Sequence, residues 1–159
     1  MVSCALYEDM WLKFANWAEY EAKDIPLARS CYTRCCKIHL PKRANCRIEW
    51  ATFEERHGKL DEARMILEDL NDRVPGLMAV SARLFHLKRR SGKMTTEQLI
   101  SALKTEWANA QEFRDRDGPE KEHFWACELA WFLCKENRIG ESRMVQKILK
   151  NKKTYFYKN

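Results

Sequence analysis

Apolar residues recur at three- and four-residue intervals along almost the whole chain, the period of an α-helix with one buried face. Leu6, Met10, Phe14 and Trp17 make one such row, widened by Trp11, Ala15 and Ala18. Asp24-Ile25-Pro26 reads as a turn, with Pro26 opening a second helix whose apolar face is Leu27, Ala28, Cys31, Tyr32, Cys35 and Ile38. Pro41 ends that helix. A third runs from about Arg43 through Trp50 and Phe53 to His57, and Gly58 stands where a helix end favours glycine. A fourth starts near Leu60, carries Ala63, Ile66, Leu67 and Leu70, and breaks at Pro75-Gly76.

The second half repeats this plan. One helix is expected from about Leu77 to Ser91, ending at Gly92, and Thr95 or Thr96 caps the next, which carries Leu99, Leu103 and Trp107. Arg114-Asp115-Arg116-Asp117-Gly118-Pro119 is the clearest loop. A helix from Glu120 to about Glu136 buries Phe124, Leu129, Trp131 or Phe132, and Leu133. The last helix runs from about Gly140 to Lys150 through Met144, Val145 and Ile148, and Thr154-Tyr155-Phe156-Tyr157 is a short β-like run. Eight helices in four antiparallel pairs result.

Self-similarity joins the pairs. Phe14-Ala15-Asn16-Trp17 matches Trp50-Ala51-Thr52-Phe53, Ala28-Arg29 matches Ala63-Arg64, and Gly58 matches Gly92, each about 35 residues on. Ser142-Arg143 takes the Ala-Arg place in the fourth pair, while Glu97-Gln98 takes it in the third and departs from the pattern. Approximate repeats at 5–40, 43–74, 77–113 and 119–153 follow, in one segment covering 1–159. A small residue at a helix crossing lets two backbones approach, and a pair that cannot bury its own apolar face stacks on its neighbours. The expected fold is therefore all-α: antiparallel helix pairs stacked as an α-solenoid. Its repeat-motif core is Trp11, Phe14, Ala15, Trp17, Ala28, Trp50, Ala51, Phe53 and Ala63, punctuated by Gly58 and Gly92.

Composition agrees with long helices. The 159 residues contain only 5 Gly and 4 Pro. With 45% hydrophobic and 33% charged residues the chain is too apolar to be disordered and too charged to be a membrane protein. No stretch approaches the ~20 apolar residues of a transmembrane helix, and nothing near Met1 has the order of a signal peptide.

Charge is uneven. Arg83, Lys88, Arg89, Arg90 and Lys93 form one basic segment, and Arg143, Lys147, Lys150, Lys152, Lys153 and Lys158 another, neither interrupted by an acid. Outside these eleven, 18 basic residues face 23 acidic ones, a balance of −5 in a chain of net charge +6. Each segment fits a solvated helix end, where cations complement the helix dipole. Each also fits RNA phosphates or an acidic protein partner.

Seven cysteines (Cys4, Cys31, Cys35, Cys36, Cys46, Cys127 and Cys134) suit a reducing compartment. Cys36-x-x-His39 with Cys46, and the His123/Cys127 spacing, fall short of a four-ligand zinc site, so no metal is expected and the cysteines read as small buried hydrophobes. A phosphate-cradling Gly-rich loop and a nucleophile elbow are both missing. Glu54-Glu55 and Asp61-Glu62 read as exposed faces or helix-start charges, which leaves no catalytic residues and no enzyme.

The runs Trp11-Leu12-Lys13-Phe14-Ala15 with Ala28-Arg29, and Trp50-Ala51-Thr52-Phe53-Glu54-Glu55 with Gly58 and Ala63-Arg64, resemble the HAT (half-a-TPR) repeat. The segments Ser3–Glu8, Ile38–Lys42 and Trp50–Glu55 are similar to the pre-mRNA-processing factor 39 family. The resemblance covers essentially the whole chain. Members of that family are several times longer, so the chain is expected to be a segment of their carboxy-terminal HAT domain. The resemblance implies a nuclear, non-catalytic scaffold on the U1 small nuclear ribonucleoprotein side of splicing, helping that particle engage the 5′ splice site. It also implies splicing proteins of that particle as partners, pairing with a second copy or a related HAT-repeat protein, no cofactor and no membrane. Direct RNA binding through the two basic segments is the alternative.

Overall fold

The computed structural model describes residues 7–156, with the side chains of Asp115, Asp117 and 151–156 left out of the description. Every described element is helical. The chain divides into two compact units, Met1–Val80 and Ser81–Asn159. The first contains α1 (Glu8–Tyr20), α2 (Ile25–Arg34) running on into a π turn (Cys35–His39), α3 (Ala44–Arg56) and α4 (Leu60–Arg73). Here α1 packs on α2, α3 packs on α4, and α2 and α3 join the two pairs. The second is built from α5 (Met78–Arg90) beyond its first three residues, α6 (Thr96–Glu112), a single turn α7 (Arg114–Asp117), α8 (Pro119–Lys135) and α9 (Ile139–Phe156). There α8 packs against both α6 and α9. Thr154, Tyr155 and Phe156 continue α9 instead of forming a β-like segment. Leu6, Cys4, Tyr157 and Lys158 lie outside the described residues.

Local chemistry explains the helix starts. The Asp24 carboxylate accepts the Leu27 N–H at 2.9 Å, with Pro26 in the first turn where its missing N–H costs nothing. Thr95, not Thr96, caps α6: its hydroxyl accepts the Gln98 N–H at 3.2 Å while the Gln98 side chain accepts the Thr95 N–H at 2.8 Å.

The helix ends repeat more faithfully than the side chains do. At the end of α3 the Lys59 N–H reaches the Glu54 carbonyl at 2.8 Å and the Gly58 N–H reaches that of Glu55 at 3.1 Å. Lys93 and Gly92 make the same pair of bonds to Lys88 and Arg89, and Arg138 and Asn137 make it to Leu133 and Cys134. These are Schellman closures, which need a left-handed residue. Gly58 (φ 75°) and Gly92 (φ 73°) supply it at no steric cost, and Asn137 (φ 61°) takes the third place.

That geometry corrects the register of the third repeat. The residue preceding each second helix accepts a bond from the residue four further on: Asp24 from Ala28, Lys59 from Ala63, Thr95 from Leu99 and Arg138 from Ser142. The third member of the Ala-Arg series is thus Leu99-Ile100, not Glu97-Gln98. Two extra residues, Lys93 and Met94, separate Gly92 from Thr95, whereas Gly58 and Asn137 are followed directly by their helix-start residue. All four series members are buried. Ser142 remains satisfied there because its hydroxyl donates to the Ala130 carbonyl at 2.8 Å.

The buried faces differ from the expected rows in several places. Ala15, Ala18, Ala28, Ala51 and Ala63 are fully buried. Trp50 and Phe53 are 8% and 0% exposed, yet their counterparts Phe14 and Trp17 are 45% and 50% exposed. Phe53 packs on Tyr32 of the preceding helix at 5.2 Å between ring centres, whereas no described helix precedes α1 to cover Phe14, Trp17 or Met10. The buried side of α1 is its small-residue row, with Trp11 half-buried against His39 at 4.9 Å. Ile38 is 65% exposed. The π turn inserts one residue, which turns Cys35 and Cys36 inward together and swings Ile38 out. On α8, Trp125 and Phe132 are core while Trp131, Cys127 and Cys134 are exposed, and on α9 Met144 and Ile148 are exposed as well.

Candidate functional site

A groove of about 660 Å³ opens on the first unit between α2, α3 and α4. Its floor is Trp50, Ile66 and the exposed Met65, and its walls are charged. Arg29, Lys37, Arg47, Lys59 and Arg73 face Glu54, Glu62 and Asp69, leaving two cations in excess.

Arg29 and Arg47 are held by neighbouring helices, whereas Arg73 pairs within α4. Arg29 on α2 donates to both oxygens of Glu54 on α3, at 2.8 and 2.9 Å. The Trp50 indole N–H donates to the same carboxylate at 3.1 Å. Glu54 is therefore buried, not on an exposed face, because three N–H donors replace its water. Arg47 is buried and pairs with Asp69 of α4. It also donates to the carbonyls of Cys36 at 3.3 Å and Pro41 at 3.4 Å, closing the end of the π turn. Asp69 accepts a second bond from Arg73 at 2.8 Å. Lys37 stands over the Trp50 ring, 5.6 Å from its centre. Carboxylates thus pin the guanidinium groups in place, and the apolar floor suits a peptide side chain better than a run of phosphodiesters.

A second surface lies on α1. Tyr7, Met10, Phe14 and Trp17 share one exposed face at helical spacing. The Phe14 and Trp17 rings stack 5.7 Å apart at 8°. Beside them a shallow depression of about 320 Å³ is lined by Met10, Trp11, Phe14, Leu27, Cys31 and Arg34. Below this face, Glu19 is buried and accepts bonds from Arg56 at 3.0 and 2.6 Å and lies 3.1 Å from His57. Burial alone would raise its pKa, but the Arg56 and His57 bonds outweigh burial and hold it below the usual carboxylate range.

The basic segments are on separate helices of the second unit. Lys88, Arg89 and Arg90 occupy the last turn of α5, where Arg89 pairs with Glu136 at 3.3 Å and covers the Phe132 ring. Arg83, Lys88, Arg90 and Lys93 each have an interaction partner too. Arg143, Lys147 and Lys150 follow one exposed side of α9. The backbones of Lys152 and Lys153 extend α9, and their side chains are outside the description.

Among the described residues no group of three His, Cys, Asp or Glu is arranged to hold a metal ion, and no helix is long and apolar enough to cross a membrane. His39 faces Trp11, and Cys127 meets His123 at 3.6 Å on the exposed side of α8. The groove residues Lys37, Arg47 and Asp69 escape sequence reasoning because they converge from three helices with no shared spacing. Arg29 carries a signal, since it follows the buried alanine of the repeat.

Residues 1–90 match the family model described as PRP39 C-terminal HAT repeat. Over 148 residues the chain is 35% identical to mouse pre-mRNA-processing factor 39, covering 91% of the chain and 20% of that protein. Against the Xenopus laevis protein of the same name it is 32% identical over 162 residues, 98% of the chain and 24% of the relative. A 64-residue stretch, 38% of the chain and 10% of the relative, is 44% identical to pre-mRNA-splicing factor CLF1 of Yarrowia lipolytica. The chain spans about a fifth of the length of the first of these relatives.

Proposed function

The chain belongs to the PRP39 C-terminal HAT repeat family, and we propose from this that it is a non-catalytic scaffold in pre-mRNA splicing, working in the nucleus by binding other proteins. The observation that carries the reading is the groove on α2, α3 and α4. Its walls are braced by ion pairs that each have one buried partner and its floor is apolar, so it offers a preformed surface to a peptide. The exposed aromatic face of α1 supports a second contact, pairing with another copy or a related HAT-repeat chain. Proteins of the U1 particle are the proposed partners, as the family relationship suggests.

The test uses this chain as bait in nuclear extract, beside a Lys37→Glu, Arg73→Glu variant. Both side chains are at the groove surface, so the variant should remain folded. Recovery of U1 particle proteins by the unsubstituted chain, reduced at least tenfold by the variant, is the expected result. Equal recovery by both moves the contact away from the groove, and recovery of no splicing proteins overturns the reading.

Direct RNA contact is the second reading, and the exposed row Arg143, Lys147 and Lys150 on α9 favours it. Binding there should weaken steeply with salt. Unchanged RNA affinity after reversal of all three charges would remove it.

A further inference from the structure

Three thiols and a carboxylate meet where the π turn of α2 abuts the start of α3. The sulfurs of Cys35 and Cys46 are 3.1 Å apart, closer than two non-bonded sulfurs ordinarily sit. Cys46 Sγ is also 3.4 Å from Glu8 Oε1 on α1, and Cys36 is the residue next to Cys35 in the same π turn. All three cysteines are buried. The π turn makes the cluster, because its extra residue brings both Cys35 and Cys36 to the inner side. A disulfide places its sulfurs about 2.05 Å apart, so this pair needs to close by only about 1 Å.

We propose that Cys35 and Cys46 form a peroxide-responsive site that closes to an intramolecular disulfide between the π turn and α3. Cys46 is the attacking sulfur: its proton passes to Glu8 or water, and the thiolate attacks one peroxide oxygen. The O–O bond breaks, hydroxide leaves and becomes water, and Cys46 is left as a sulfenic acid. Cys35 then attacks the Cys46 sulfur, the S–O bond breaks, and the hydroxide leaves with the Cys35 proton as a second water. Two thiols are oxidised and one peroxide is reduced to two waters. The hydrogen bond from Cys36 holds the Cys46 thiol below its ordinary range, while burial pushes Cys35 up to about 12, so the roles are not interchangeable. Burial also restricts the oxidant to something as small as hydrogen peroxide.

The simpler reading treats all these cysteines as packing groups, and Cys31 provides the internal comparison. It is buried too, but burial raises its pKa and none of the causes of that shift is a second sulfur. The disulfide would tie together the two chain segments that supply Lys37 and Arg47 to the groove.

The test starts from a Cys4→Ser, Cys127→Ser, Cys134→Ser background, which removes the two exposed cysteines together with Cys4, which lies outside the described residues. The folded chain is treated with hydrogen peroxide, free thiols are alkylated in denaturant, and tryptic peptides are read by mass without reduction. Cleavage at Arg34, Lys37, Arg43 and Arg47 isolates residues 35–37 and 44–47. The expected product is these two peptides joined, two hydrogens lighter than their sum, and separated by reduction. It should persist in Cys36→Ser and disappear in Cys35→Ser, with circular dichroism checking that each variant is folded. Fragmentation of the joined peptide from the Cys36-containing chain assigns the bond to Cys35 even if a variant misfolds. Unreacted Cys35 and Cys46, Cys46 alone oxidised to sulfinic acid, or a bond assigned to Cys36 overturns the proposal.

Discussion

Arg29 and Glu54 meet across the α2–α3 interface through two parallel hydrogen bonds, with Glu54 only 2% exposed. The pair joins one helix pair to the next, and it depends on both charges being present. Removing Arg29 leaves a buried carboxylate short of donors, so Arg29→Ala should lower the unfolding free energy by about 3 kcal/mol. Adding Glu54→Gln to that variant should restore part of the loss, because a neutral amide tolerates burial better. Urea unfolding of the three proteins checks this, and a loss below about 1 kcal/mol for Arg29→Ala would show that water reaches Glu54.

The left-handed positions make a second comparison. Nothing lies within 4 Å of where a Cβ would sit at Gly58, so Gly58→Ala tests backbone conformation alone. It should cost about 1–2 kcal/mol. Asn137 holds the same conformation with a side chain already present. Asn137→Gly should change stability by less than about 0.5 kcal/mol, since an easier left-handed geometry offsets the extra freedom of an unfolded glycine. Thermal unfolding midpoints of the two variants should therefore separate clearly.

Glu19 gives a pH prediction with a definite sign. Its carboxyl is more acidic folded than unfolded, because the Arg56 and His57 bonds outweigh its burial. Its stabilising contribution is thus complete above the unfolded carboxylate range and disappears as pH falls through the folded value. Stability measured from pH 7 down to pH 3 should decline less steeply in Glu19→Gln than in the unsubstituted chain. Parallel curves would show that Glu19 contributes nothing to the acid sensitivity.

Exposure at Phe14 and Trp17 predicts a split between folding and association. Phe14→Ser with Trp17→Ser should shift unfolding by no more than about 1 kcal/mol in total, the usual limit for two surface sites. The same variant should reduce self-association seen by light scattering across a concentration series. A large drop in stability would instead place these rings in a packed interface.

Much of the fold was legible in the sequence, and the exceptions have physical causes. Proline, glycine and capping residues act within a few positions of themselves, so Pro26, Gly58 and Gly92 marked helix boundaries correctly. The sequence pattern places the third repeat two residues early because Lys93 and Met94 lengthen one turn, and no local pattern separates an insertion from a substitution. Ile38 leaves its expected row for a related reason, since the π turn shifts the helical phase by one residue. Glu54 looked like a surface carboxylate because its partner Arg29 stands 25 positions earlier on a different helix.

By itself, then, the sequence determined that the chain is helical, where most helices start and stop, and that the first two helix pairs repeat with a small alanine at the same place. Those properties arise from interactions over one to four residues, and periodicity displays them directly. Only the tertiary structure decided which aromatic residues are core and which are surface. Phe14 and Trp17 match Trp50 and Phe53 in sequence, but burial depends on whether another helix lies alongside. The same holds for the groove and for the Cys35–Cys46 contact, both made by side chains from different helices whose meeting is set by packing.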